Sequence, residues 1–168
     1  MDRQWAVEES ATVAVRPEVA YRAVAELRRM GEWSPECRAV WVRRGPAGVG
    51  TRFVGWNRKG WLLWFTTGRV TVADQGREFA FRVVTFGLPV AEWGYRFQPA
   101  GDGGSTVTEY WTDLRRGRGA RLTEVLGRIF SGTRAEDRAA VNRAGMRTTL
   151  ERLRHSLEGR STEGRQAR

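Results

Sequence analysis

The chain has 168 residues, 40% of them apolar and 29% charged, and carries a net charge of +10. That length and balance fit one globular domain with its own core, and argue against a disordered chain or an apolar helix crossing a bilayer. The single cysteine, Cys37, excludes an internal disulfide framework and a cysteine-based zinc cluster.

No apolar segment follows a basic start, so neither a signal peptide nor export is expected, and the reading is a soluble cytoplasmic domain. All 29 basic residues except Lys59 are arginine. They are spread along the chain, densest at Arg115-Arg116-Gly117-Arg118 and from Arg160 to Arg168. A specific nucleic-acid reader concentrates charge on one element or interleaves it with aromatics on a platform. The dispersion therefore predicts no specific nucleic-acid partner, only weak salt-sensitive association.

In chain order, Val7 to Val15 alternates apolar and polar residues as a strand does. Pro17 opens a helix carrying Ala20, Val24 and Leu27 on one side, because its missing N–H costs nothing at the first helical position. A second short helix is predicted from Arg28 to Trp33, ending before Pro35. Six strands follow: Arg38 to Arg43, Thr51 to Asn57, Trp61 to Ala73, Glu78 to Phe86, Val90 to Gln98 and Ser105 to Leu114. Short turns join them into an antiparallel meander. Leu122, Val125, Leu126, Ile129 and Phe130 form an apolar helical stripe, expected to cover the sheet or act as a lid. After Gly132 a long helix carries Asn142, Met146, Leu150, Leu153 and Leu157, with Gly159 as its C-terminal cap. The pattern predicts one α+β domain over residues 1–158, followed by a disordered basic tail over 159–168.

A curved seven-stranded sheet gripping one long helix does not close flush, and the gap between them is a natural small-molecule cavity. Alternation turns one set of strand residues inward. It comprises Phe53, Gly55 and Asn57; Leu62, Trp64, Thr66, Val70 and Val72; Phe79, Phe81 and Val83; Trp93, Tyr95 and Phe97; and Val107, Glu109, Trp111 and Asp113. A bulge, for which Gly68 is the candidate, would reverse part of this assignment. With eight tryptophans in the chain, the rings either fill a solid core or wall a cavity for a flat, apolar guest. The residues nominated to line such a cavity are Trp33, Phe53, Asn57, Trp64, Phe79, Phe81, Trp93, Tyr95, Glu109, Trp111, Asp113, Asn142 and Met146.

Specific segments go further. Met30-Gly31-Glu32-Trp33-Ser34-Pro35 with Cys37, Gly50-Thr51-Arg52-Phe53 with Asn57, and Phe79-Ala80-Phe81-Arg82-Val83 are three of them. Thr106-Val107-Thr108-Glu109 with Trp111, and Asn142-Arg143-Ala144-Gly145-Met146-Arg147, are two more. In this order of elements they resemble the START-like polyketide cyclase/dehydrase (SRPBCC) superfamily over about residues 5 to 158. The resemblance implies a helix-grip fold, START-like or Bet v 1-like: a curved seven-stranded antiparallel sheet around a long C-terminal helix, with two short helices after the first strand. It also implies an internal hydrophobic cavity. The family spans aromatase/cyclases, lipid and hormone binders and self-resistance proteins, so fold alone does not choose the function.

Glu109 and Asp113 are the informative polar residues, four apart on one strand and so on one face. An inward carboxylate needs hydrogen bonds, arginine, water or ligand. Either Glu109 is an acid/base or ligand anchor with a raised pKa, or an arginine (Arg58, Arg69, Arg82 or Arg96) satisfies it structurally. Asp113 is placed at the rim. Asn57 joins Glu109 as a candidate catalytic partner. His155, the only histidine, falls off the apolar stripe and is expected to face solvent, which leaves no Ser-His-Asp or Cys-His pairing. Cys37 reads as a small buried thiol without an activating base. Gly45–Gly50 and Gly101–Gly104 are hairpin loops, not phosphate cradles. No metal, no cofactor and no membrane insertion are expected, and the protein is read as a monomer or homodimer. The function favoured is binding of a small hydrophobic, polycyclic or polyketide-type metabolite by sequestration or carriage. Its alternatives are an aromatase/cyclase using Glu109, and self-resistance against a toxic natural product.

Overall fold

The computed structural model describes residues 6–85, 87–115 and 138–166. It begins with β1 (Ala6–Val13), α1 (Pro17–Ala25), a single 3₁₀ turn (Leu27–Arg29) and the one-turn α2 (Met30–Trp33). The strands β2 (Cys37–Val42), β3 (Arg52–Lys59), β4 (Leu62–Asp74), β5 (Glu78–Thr85), β6 (Leu88–Pro99) and β7 (Ser105–Asp113) follow, and the long helix α3 (Arg138–Gln166) closes the described chain. The strands form one sheet in the order β1-β7-β6-β5-β4-β3-β2, antiparallel throughout. The meander from β2 to β7 is thus continuous. β1 docks on its far edge, and α1 and α2 carry the chain across to β2. This is the expected helix-grip architecture.

Local chemistry explains the elements. Pro17 stands at the start of α1, and the helix buries Ala20, Tyr21, Ala23 and Val24 against the sheet. In β7 burial alternates along the whole strand, so Val107, Glu109, Trp111 and Asp113 all point inward. On α3 the buried residues Asn142, Met146, Thr149, Leu150, Leu153 and Leu157 recur at helical spacing and face the concave side.

The core fills only part of that concavity. Tyr21 meets Phe79 and Phe97 edge-on at 6.0 and 5.7 Å, and Val13, Leu27, Trp33, Val107 and Leu153 pack around them. A second apolar cluster, Val7, Ala91, Trp111, Ala139 and Met146, closes the opposite side. The hollow lies between.

Several expectations are corrected. Gly68 is not the bulge: it pairs in register with Phe53 and Val83. Its lack of a side chain makes room for the Phe53 ring, which a Cβ there would meet at 2.2 Å. The register shifts instead between Val70 and Val72. The extra residue turns Ala73 inward opposite Phe79 and sends Val72 to the outer face opposite Ala80. A second shift lies between Val83 and Val84, where Pro89, expected in a turn, is accommodated inside β6. α3 does not stop at Gly159 but runs on to Gln166. The Leu122–Phe130 stripe, Gly132 and Phe86 lie outside the described residues.

Candidate functional site

The concave face opens into a cavity of about 500 Å³ between the start of β2, the strands β3 to β7 and the first half of α3. Nine of the nominated residues line it: Phe53, Asn57, Trp64, Phe81, Trp93, Tyr95, Glu109, Asn142 and Met146. Phe53 and Phe81 meet edge-on at 5.3 Å and form its border with the filled core.

Four nominated residues stand elsewhere. Phe79 is wholly buried against Tyr21, because α1 plugs the sheet at that point. Trp33 is sealed in the same core, with the Arg29 guanidinium 5.1 Å from its ring. Trp111 packs in the second cluster behind Trp93, ring centroids 6.5 Å apart, and so supports the wall without forming it. Asp113 is neither rim nor lining. It is 1% exposed, and Arg115 donates to it through Nε at 2.9 Å, Nη2 at 2.7 Å and its backbone N–H at 2.9 Å. The two-residue reach of Arg115 neutralises a carboxylate that α-carbon spacing alone placed beside Glu109.

Glu109 is different. The Tyr95 hydroxyl donates to its Oε1 at 2.8 Å, while its Oε2 is buried with no hydrogen-bond partner among the described residues. The arginine partner considered from sequence is not found. Arg58, Arg69, Arg82 and Arg96 all sit at outer-face positions of the register. Arg58 donates to the Gly60 carbonyl, and Arg82 and Arg96 pair with Glu92 and Glu8. Burial pushes the Glu109 carboxyl up to about 8, against the smaller opposing pull of the Tyr95 hydrogen bond. Tyr95, fully buried beside that carboxyl, is raised well above its ordinary value, chiefly by burial.

Two further polar atoms on this lining are orphaned. Asn142 Nδ2 and Arg138 Nη1 are buried without hydrogen-bond partners among the described residues, although Arg138 Nη2 reaches Glu36 Oε2 at 3.1 Å. Asn57, by contrast, has its amide committed: Nδ2 donates to Thr66 Oγ1 at 3.2 Å and to the Gly55 carbonyl at 3.3 Å. It shapes the wall rather than presenting a free donor. Thr66, one of the residues turned inward by alternation, lies on the lining, and Arg138, Ser34 and Thr149 join it unforeseen. Nothing in the sequence fixes where α3 begins, and without that Arg138 has no face. Cys37 also borders the cavity; burial pushes its thiol up to about 11, so it is inert as expected. His155 is exposed. Among the described residues no cluster of His, Cys, Asp and Glu could hold a metal ion, and no described helix is long and apolar enough to cross a membrane.

The site is therefore an apolar chamber with a small polar end. Phe53, Trp64, Phe81, Trp93 and Met146 offer ring and thioether surface. Asn142 and Arg138 offer donors, and Glu109 a carboxyl that donates when protonated and accepts when ionised.

Known proteins share this fold. The chain is similar to the polyketide_cyc-like protein Cgl2372 from Corynebacterium glutamicum, at 28% identity and a TM-score of 0.62 over 94% of both chains. The Zhui aromatase/cyclase from Streptomyces sp. R1128 has the same fold at 16% identity and a TM-score of 0.68, over 93% of this chain and 94% of that one. Ara h 8.0201 shares it at 12% identity and a TM-score of 0.56, over 92% and 97%. No curated protein matches the chain. The family described as polyketide cyclase/dehydrase and lipid transport matches residues 4–158. On that match, which takes in β1 through most of α3, the chain belongs to the polyketide cyclase/dehydrase and lipid transport family.

Proposed function

We propose that the protein binds a small hydrophobic, polycyclic metabolite bearing at least one oxygen function, and holds it for sequestration or carriage. One observation carries this reading: an aromatic-walled cavity of about 500 Å³ whose lining includes Glu109 and Asn142, with Glu109 Oε2 and Asn142 Nδ2 buried and without hydrogen-bond partners among the described residues. Buried polar groups left unsatisfied are costly, and a guest oxygen placed among them relieves that cost. Titration with naphthol tests it, because Trp64 and Trp93 line the chamber and report an occupant. Saturable quenching that is lost in Trp64→Phe/Trp93→Phe supports the reading. A response that does not saturate, or that survives in the double variant, sinks it.

A second reading is an aromatase/cyclase, supported by the Tyr95–Glu109 pair and by a carboxyl poised near neutrality. In it the Glu109 carboxylate takes a proton from a methylene between two carbonyls of a poly-β-keto chain. The resulting enolate carbon attacks a third carbonyl, the proton returns to the new alkoxide, and dehydration expels that oxygen as water. The cavity's part is to hold the chain in one reactive fold. Glu109→Gln separates the readings, since turnover collapses under the second while affinity for naphthol changes little under the first.

A further inference from the structure

The outer face of the sheet carries a feature that the cavity does not use. Trp41, Trp56, Leu63 and Phe65 are exposed there, and Trp61 stands 88% exposed at the tip of the β3–β4 hairpin. Register places Trp41, Trp56, Leu63 and Phe65 on one surface beside that tip: Trp56 lies opposite Phe65, ring centroids 5.7 Å apart, with Trp41 opposite Val54 one row further on. From strand geometry this band extends about 20 Å along β4 and about 14 Å across the strands. A contiguous apolar patch of that size is close to the largest that a typical monomer exposes, and such patches often serve function.

The band is bounded by cations at both ends. Arg58 and Lys59 flank the hairpin tip. At the other end Arg52, Arg69 and Arg82 stand directly opposite one another on three adjacent strands. Arg82 pairs with Glu92 at 3.3 Å, whereas Arg52 and Arg69 form no ion pair among the described residues. Like charges opposed across strands destabilise a sheet, so this row costs the fold something in the absence of an anion.

We propose that this outer face docks on an anionic lipid surface, with Trp61, Leu63 and Phe65 entering the interface and the arginine row meeting lipid phosphates. Aromatic side chains settle at the boundary between hydrocarbon and headgroups, and arginine pairs with phosphate through two donors. The hairpin also ties the two surfaces together, because Arg58, Lys59 and Gly60 border the cavity as well. A protein resting on this face holds the cavity rim beside the lipid surface. The same features disfavour a second copy of the chain, since pairing two such faces would bring two arginine rows together on a protein of net charge +10. A stacking platform for bases is less well matched, because Leu63 offers no ring and Trp56 and Phe65 tilt by 52° against each other.

Co-sedimentation of the full chain with vesicles tests the proposal, using phosphatidylcholine alone and an equimolar mixture with phosphatidylglycerol. Binding is expected to the mixed vesicles only and to weaken as salt is added. Trp61→Ser/Phe65→Ser should lower it about tenfold. Arg52→Gln/Arg69→Gln should lower it about fivefold for each arginine removed, while melting at the same or a higher temperature than the parent. Brominated lipid should quench the tryptophan fluorescence of the unaltered protein. Failure to bind the anionic vesicles, or binding untouched by both double variants, overturns the proposal. So does a single-stranded oligonucleotide that competes the protein off the vesicles, or a dimer that Trp61→Ser/Phe65→Ser abolishes. None of these outcomes bears on the cavity.

Discussion

The Tyr95 hydroxyl and the Glu109 carboxyl lie 2.8 Å apart on neighbouring strands, and among the described residues that hydrogen bond is made to one of the two carboxyl oxygens while the other has none. Tyr95 and Glu109 are direct cross-strand partners, so the pair is fixed by sheet register and requires no loop. A carboxyl held this way favours its neutral form, because burial penalises charge more than one phenolic donor compensates.

The first prediction is a stability profile. The folded-state pKa of Glu109 is raised to about 8 from an ordinary 4.5. Between those values the native state holds a proton that the unfolded chain releases, so stability contributed by this group falls as pH rises. The contribution is complete below 4.5, declines across the window by up to about 1.4 kcal/mol per pH unit, and levels off above about 8. Urea unfolding from pH 4.5 to 8 should show this slope, and Glu109→Gln should remove most of it while stabilising the protein at the alkaline end.

Tyr95→Phe makes the complementary prediction. It leaves both Glu109 oxygens buried without a donor, at a cost of about 1–3 kcal/mol. The lost hydrogen bond also opposed the upward shift, so the window of declining stability should extend to higher pH. A variant with parental stability and an unchanged pH profile would show that the hydroxyl does not hold this carboxyl.

The Asp113–Arg115 pair is buried on both sides, with side chains 1% and 7% exposed. Removing one partner of such a pair strands the other charge and costs about 3–5 kcal/mol. Asp113→Ala should therefore unfold at markedly lower urea, with naphthol affinity per folded molecule unchanged, since neither residue lines the cavity. A change in affinity without a change in stability would return Asp113 to the site.

Where sequence reasoning succeeded, a local rule was sufficient. β7 alternates without a break, so Glu109 could be turned inward from spacing alone. It failed where the outcome depends on distant parts of the chain. Phe79 and Phe81 are two residues apart on one strand and one face, yet the first is core and the second is cavity wall. What separates them is where Tyr21 of α1 lands, and no periodicity within β5 contains that. The bulge between Val70 and Val72 was likewise hidden, because the glycine that suggested a bulge has a different role: it lies beneath the Phe53 ring. The Asp113–Arg115 pairing has no local sequence signal, because charge pairing two residues along a chain depends on how the strand ends.

That ring-over-glycine contact gives a test of how the wall is held. A Cβ at residue 68 would lie 2.2 Å from the Phe53 ring, so Gly68→Ala must displace the ring or bend the strands. Overpacking of this kind costs about 1–3 kcal/mol. In a Phe53→Ala background the obstacle is gone, and the same substitution should cost close to nothing, giving an interaction energy of about 1–3 kcal/mol in a double-mutant cycle. Additive costs would mean that the glycine serves the strand and not the ring.

Cys37 offers a direct readout of cavity occupancy, being the single thiol of the chain, 4% exposed and on the lining. Its pKa of about 11 leaves little thiolate at neutral pH, so labelling by iodoacetamide should be slow and rise about tenfold per pH unit in the alkaline range. Access to the sulfur from the cavity side requires an empty chamber. Saturating naphthol should therefore slow the labelling further at fixed pH, with the half-protecting concentration equal to the dissociation constant from fluorescence. Labelling that ignores naphthol, in a protein that binds it by fluorescence, would place the guest away from the wall formed by Cys37 and Asn57.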